Sequence, residues 1–219
     1  MNYAEFKLII PKLKLTNLNS KVSQLKLAPS FRKDYIKLNK KLNLNSKKAA
    51  VIALLYPDNN KLMRLVLILR NTYKGVHSNQ IGFPGGRVED GDKTMFDTAA
   101  RETFEEIGIR LFEKSIIKEL HSLYIPPSNF SVSPFLAYVD FKPDFMKDDK
   151  EVKEVFSIDL DSLITATINE LSIKVPDNLN YSTKTNNKLV PSFLLGGYNV
   201  WGATAMMLSE IRDLFKNVI

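Results

Sequence analysis

Residues 94–109, "TMFDTAARETFEEIGI", carry a helix whose start, end and buried face can all be read from the letters. Thr94 followed three residues later by Asp97 forms a capping box, with Asp in place of the usual Glu. Gly108 supplies the stop. Phe96, Ala99, Ala100, Thr103 and Ile107 fall close to one face, so that face packs against something apolar. Glu102, Glu105 and Glu106 stand at i, i+3 and i+4 and share a different face. Few folds present such a helix: it needs an apolar layer beneath it and an open acidic flank above.

Three glutamates on one face cost a few tenths of a kcal/mol per like-charge pair in a bare helix, roughly. Without a cation their crowding raises carboxyl pKa values. A hard divalent cation reverses the balance, because Mg²⁺ takes carboxylate oxygens, retains waters and bridges to substrate phosphates. A solvated acidic stripe is the plain alternative. Two neighbours favour the cation, since "FPGG" lies just upstream and a helix stop follows directly, and R-E-x-x-E-E-x-G arises by chance on the order of once in 10⁶ windows.

The rest of the chain supplies the layer. From Ala49 the sequence becomes a continuous apolar run, "AAVIALLYP", then a "DNN" turn, then "KLMRLVLILR". That pattern predicts a β-hairpin. "GFPGG" reads as a tight loop. "IIKELHSLYI" and "SVSPFLAYVDF" read as strands, and "EVKEVFSIDLDSL" as a strand passing into a turn. "LLGGYNVWGATAMMLSEIRDLFKNVI" reads as a turn, a short strand and a closing helix. "DNLNYSTKTNNK" is the expected flexible loop. Short helices are expected at 3–10 and about 31–42, around a proline-containing connection.

Charge divides the chain. Residues 1–50 carry a balance of +10 within a total of +7, so the remainder is slightly acidic. The lysines are interleaved with leucines, as in "KLKL", which suits a solvated helix surface or an arm that attracts polyanions. With no cysteine, thiolate chemistry and disulfides are excluded. No apolar run approaches the ~18 residues of a membrane span, and the first residues do not read as a secretory signal. A cytoplasmic location is therefore expected. Together these predict an α/β domain with a mixed sheet over 46–219, preceded by a basic helical extension over 1–45.

The stretch "GGRVEDGDKTMFDTAARETFEEIGI" closely resembles the box of the Nudix hydrolases, in which a glycine, five residues, a Glu and seven residues precede R-E-U-x-E-E-x-G-U, U being aliphatic. Gly86 and the block Arg101–Ile109 fit. Thr103 takes an aliphatic position, and Asp92 stands for the usual Glu, with eight residues before Arg101. Upstream, Arg70, His77, Gln80, Ile81 and Phe83 to Gly86 resemble the signature of the coenzyme A pyrophosphatase branch, with Asn79 where glycine is usual. "PPSNFSVSPFL" and "GGYNVWGATAMML" look like the same branch.

The resemblance implies an α/β/α sandwich with a mixed, curved sheet and hydrolysis of a phosphoanhydride with Mg²⁺ or Mn²⁺. Glu102, Glu105 and Glu106 become the expected metal ligands. Arg101 is expected to brace a glutamate rather than to touch substrate. A fourth carboxylate is expected from "KDDKEVKEVFSIDL", Glu151 in preference to Glu154. Glu102, Glu105, Arg101 and Glu151 form the expected catalytic set, with the base left open. Arg70, His77, Gln80, Gly85 and Gly86 are the expected substrate-side residues, Gly85 and Gly86 by letting the backbone turn close to the helix. His77 also suits a structural role, and Trp201 suits the core better than a nucleobase platform.

The expected substrate is coenzyme A or a derivative, cut to 3′-phosphoadenosine 5′-phosphate and 4′-phosphopantetheine. Another nucleotide (ADP-ribose, NADH or a nucleoside triphosphate) or a silent nucleotide-binding regulator are the alternatives. The expected partner is the small-molecule, coenzyme A-like nucleotide, with neither membrane nor nucleic acid expected and a homodimer open.

Overall fold

The computed structural model describes residues 1–32, 45–72, 79–174 and 187–219. All but the first two residues of the helix expected at about 31–42, His77, and nearly all of the Asn-rich loop lie outside the described residues. The helices among the described residues include α1 (Tyr3–Leu15), α2 (Ser20–Leu25), α3 (Met95–Ile107), α4 (Leu160–Thr165) and α5 (Gly202–Lys216). The strands of the main sheet are β1 (Lys47–Pro57), β2 (Met63–Arg70), β3 (Ile81–Gly82), β4 (Gly85–Arg87), β5 (Ile116–Glu119), β6 (Leu123–Ile125), β7 (Phe130–Tyr138) and β8 (Val152–Asp159). A second, antiparallel sheet contains β9 (Asn169–Lys174), β10 (Asn187–Leu195) and β11 (Tyr198–Trp201).

The main sheet is mixed. β1 runs parallel to β7, and its other pairings are antiparallel. Both faces of β1 are covered, which explains its unbroken apolar run. Ala49, Val51, Ala53 and Leu55 face one core, with α5 and the N-terminal helices. Ala50, Ile52, Leu54 and Tyr56 face the other, with Phe96, Ala99 and Ile107 of α3. The expected α/β/α sandwich is present.

The hairpin forms as expected, with Asp58 Oδ1 accepting from the N–H groups of Asn60 and Leu62 at 2.8 and 3.0 Å. β2 then leaves β1 after Leu65. Its lower half pairs with β3, while the lower half of β1 pairs with β4. "GFPGG" thus spans a fork between two diverging strands, and Ile52 N donates to Pro84 O at 2.9 Å inside it.

Three elements depart from the sequence reading. "IIKELHSLYI" is two strands, because Pro134 of the partner strand has no N–H to offer and the ladder breaks opposite it. "DLDSL" continues as α4 rather than a turn, and Trp201 is half-buried at the start of α5, outside both cores. Helix α1 runs through Pro11 to Leu15. An interior proline costs about 3 kcal/mol, and burial of a large apolar side chain returns about 1.5–3 kcal/mol each. Phe6 and Leu13, one on each side of Pro11, are both fully buried.

The described part of the extension contains two helices, as a helical extension predicts, and it also completes a core. Phe6 meets Tyr138 edge-on at 5.6 Å and stacks with Phe215 at 6.4 Å. From α2, Gln24 Nε2 donates to Glu210 Oε2 and to His121 O at 2.8 and 2.7 Å, and Glu210 Oε1 accepts from His121 N. Phe6→Ala is expected to cost about 3–5 kcal/mol, read as a lowered midpoint in urea unfolding. Removal of residues 1–45 should abolish the cooperative transition; a truncated protein that unfolds as sharply as the full chain would contradict this packing.

Candidate active site at the sheet fork

Helix α3 begins as the sequence indicates. Thr94 Oγ1 accepts from Asp97 N at 3.1 Å, and Asp97 Oδ2 accepts from Thr94 N at 2.9 Å. Gly108 ends it in the left-handed conformation, φ 78°. Thr103, at the aliphatic position, is buried and donates its hydroxyl to Ala99 O at 2.6 Å, so its polar atom is satisfied inside the helix.

The last carbonyls of α3 have no partner within the helix. The loop after β7 fills them: Asp148 N donates to Glu106 O and Met146 N to Ile107 O, each at 3.0 Å. Two residues beyond Asp148–Asp149 the same loop delivers Glu151. Asn71 then clamps this loop, its N–H donating to Glu151 O at 2.8 Å and its Nδ2 to Asp149 O at 2.9 Å. Asn71 was not foreseen; its position next to Arg70, at the end of a strand, was the signal available.

Glu106 is 1% exposed and reaches across the fork. Its Oε2 accepts from Gly85 N at 2.8 Å and its Oε1 from Arg70 Nη1 at 3.0 Å. Arg70 Nη2 donates to Gly85 O at 2.7 Å, closing a ring of three groups. Burial pushes the Glu106 carboxyl up to about 7, against the opposing pull of Arg70 and the Gly85 N–H. Gly85 has φ 139°, and a methyl there would overlap the Ala50 carbonyl and Val51 backbone. A methyl on Gly86 would fall on the Glu102 carboxylate instead. Gly86 thus leaves room for Glu102, while Gly85 leaves room for the β1 backbone and offers its N–H to Glu106.

Arg101 organises the outer half of the site. It grips Asp92 with two parallel bonds, Nε to Oδ1 at 3.1 Å and Nη2 to Oδ2 at 3.0 Å. Its Nη1 donates to Glu102 Oε1 at 3.1 Å and to Glu105 Oε2 at 2.9 Å. Asp92 also accepts from Glu89 N and Thr98 Oγ1 at 2.9 and 2.8 Å. The Arg101 bonds come first among the causes that hold its carboxyl down at about 2. The Glu102 carboxyl is pushed up, chiefly by burial.

Carboxylate oxygens of Glu102, Glu106 and Glu151 lie within 4.8 Å of one another. Among the described residues, this is the acidic group that the fold assembles. Glu105 projects outward, more than half exposed, and is tied to Arg101. Glu154 points elsewhere, accepting from Tyr198 Oη at 2.6 Å. Arg70 is turned inward onto Glu106, and Gln80 accepts from Arg70 N through its backbone carbonyl at 3.0 Å. Asn79 holds φ 54°, a left-handed conformation that Asn tolerates and glycine adopts freely, at the position where glycine is usual.

Residues 46–176 match the NUDIX domain family, and the chain belongs to the Nudix hydrolases. It is 29% identical over 181 residues to Nudix hydrolase 3 of Caenorhabditis elegans, covering 78% of this chain and 74% of that protein. Against the human mitochondrial coenzyme A diphosphatase NUDT8 it is 32% identical over 136 residues, covering 61% of this chain and 54% of the relative. The fold is shared with a MutT/nudix family protein from Enterococcus faecalis, with a TM-score of 0.50 at 19% identity, over 79% of this chain and 62% of that one.

Nudix hydrolases generally use divalent metals such as Mg²⁺ or Mn²⁺, and the residues present fit one: an all-oxygen donor set suits a hard cation. Cation binding requires ionised carboxylates, so it competes with the proton on Glu106. Because that carboxyl titrates near about 7, Mn²⁺ binding at pH about 6 should release about one proton, and at pH about 8.5 almost none. Calorimetry in buffers of different ionisation enthalpy reads this; equal release at both pH values would contradict it. Gly86→Ala should weaken Mn²⁺ binding with little change in Tm, since only the Glu102 side chain must move, whereas Gly85→Ala should impair folding itself.

Proposed function

We propose that this chain hydrolyses the phosphoanhydride of a nucleoside diphosphate-linked substrate of the coenzyme A class, using Mg²⁺ or Mn²⁺. The convergence of Glu102, Glu106 and Glu151 within 4.8 Å at the fork carries this reading. These three carboxylates would hold the cation. When bound, it supplies neutralising charge for phosphate oxygens and lowers the pKa of a water.

The protein's own part is placement. Gly85 and Arg70 hold Glu106 in one orientation, and Arg101 holds Glu102. That makes Arg70 a positioning residue in this reading rather than a substrate contact. The exposed carboxylates, Glu105 and Glu151, are the candidates for the base, because solvent water reaches them. Water adds to one phosphorus, the bridging P–O bond breaks, and two phosphate monoesters leave. The coenzyme A class is supported by the upstream signature around Arg70, Gln80 and Phe83 to Gly86, and by the named activity of the human relative.

Incubation with coenzyme A, ADP-ribose, NADH and nucleoside triphosphates, with product masses read after Mg²⁺ or Mn²⁺ addition, tests the reading. Coenzyme A should give 3′-phosphoadenosine 5′-phosphate and 4′-phosphopantetheine. Brisk ADP-ribose cleavage with coenzyme A untouched would remove the substrate assignment and leave the metal site standing. Glu106→Gln keeps an acceptor for the Gly85 N–H but loses the ligand charge, and should lower kcat/KM by about 10³ or more. Full activity in a folded Glu106→Gln protein would sink the metal-site assignment.

A further inference from the structure

Helix α1 has two apolar faces. Phe6 and Leu13 are buried in the core, on the inner face. On the opposite side Ala4, Leu8, Pro11 and Leu15 follow one another at spacings of four, three and four residues, which places them in one stripe along the helix. All four are exposed, Leu8 at 78% and Leu15 at 81%. A surface helix ordinarily turns polar residues outward, so an outward apolar stripe opposite a buried one calls for a partner.

The stripe is flanked by positive charge on both sides. Lys7 and Lys14 lie along one edge and Lys12 along the other, all exposed. Lys118 of β5 brings a further ammonium group to the end of the helix, donating to Lys14 O at 3.1 Å. The one acidic side chain in α1, Glu5, is engaged at the opposite end, accepting from Asn2 N at 2.9 Å in the capping box.

From this arrangement we infer that α1 docks the protein flat on an anionic lipid surface, with Leu8 and Leu15 entering the headgroup boundary and the flanking lysines meeting the lipid phosphates. Leucines that are so exposed line no groove, so the stripe offers a peptide no pocket; a deformable plane accommodates it. A second copy of the chain is disfavoured by charge, since apposed stripes would bring lysines against lysines in a protein of net charge +7. The contact needs no spanning segment, and no helix among the described residues is long and apolar enough to cross a membrane. A helix that lies on a membrane surface carries a different sequence signal from a spanning segment, so the absence of a span-length apolar run does not bear on it.

Co-sedimentation of the full-length protein with vesicles tests the inference, comparing phosphatidylcholine alone with a mixture holding about 30% phosphatidylserine. Binding should favour the anionic vesicles and weaken as salt rises. Leu8→Ser with Leu15→Ser should lower the bound fraction by about tenfold with Tm unchanged, because both side chains stand outside the core. Lys7→Gln with Lys12→Gln and Lys14→Gln should remove the preference for anionic lipid, and does so without touching the apolar stripe. Equal partitioning of the wild-type protein into both vesicle types overturns the inference. So does undiminished binding of either variant. Self-association that the leucine variant abolishes, seen by analytical ultracentrifugation, would assign the face to a second copy instead.

Discussion

The site depends on the 2.8 Å hydrogen bond from Gly85 N to Glu106. It ties the end of α3 to the mouth of the sheet fork, and the parts of the fold converge on it. β1 must be long enough to share one edge between β2 and β4. The loop between β3 and β4 must turn at Gly85 in a conformation closed to other residues. Glu106 must be almost wholly buried to reach that N–H, and burying a carboxylate alone is expensive. Arg70 offsets that cost, and by also bonding Gly85 O it holds the loop and the carboxylate as one unit.

Two arginines therefore do different work at one site. Arg70 braces the buried carboxylate from the β2 side. Arg101 is planted in Asp92 and spreads its remaining donor over Glu102 and Glu105. The departure of the box from its usual spacing makes sense in these terms. Asp is one methylene shorter than Glu, and Asp92 still meets Thr98, Arg101 and the Glu89 N–H with both oxygens. It is the anchor for Arg101, so what matters is that its carboxylate arrives there, whichever combination of chain length and side-chain length brings it.

Much of this was legible before any coordinates. The helix caps, the hairpin turn, the stop at Gly108 and the acidic face of α3 are local signals, set by residues within four positions of each other. The grouping of Glu102 with Glu106 and Glu151, and the outward turn of Glu105, were not legible in the same way. On a lone helix the positions 102, 105 and 106 are equivalent in spacing. What separates them is tertiary: Gly86 leaves room beside Glu102, Gly85 draws Glu106 inward, and the loop capping α3 through Glu106 O and Ile107 O delivers Glu151. The break in "IIKELHSLYI" was hidden for the same reason, since its cause, Pro134, sits on another strand.

The N-terminal segment makes the limit clearest. Its excess of lysine invited a reading by charge alone, as an arm appended to a domain. Charge says nothing about the two residues that decide its place, Phe6 and Leu13, which are seven positions apart on either side of a proline that ordinarily ends a helix. Their burial makes α1 part of the wall behind the sheet. The lysines are then fixed to the outer surface by geometry, because a helix that turns two large apolar side chains inward has nowhere else to put them. The exposure of the α1 lysines follows from its being a covering layer, and the apolar stripe between them is the part of that layer that covering the core does not explain.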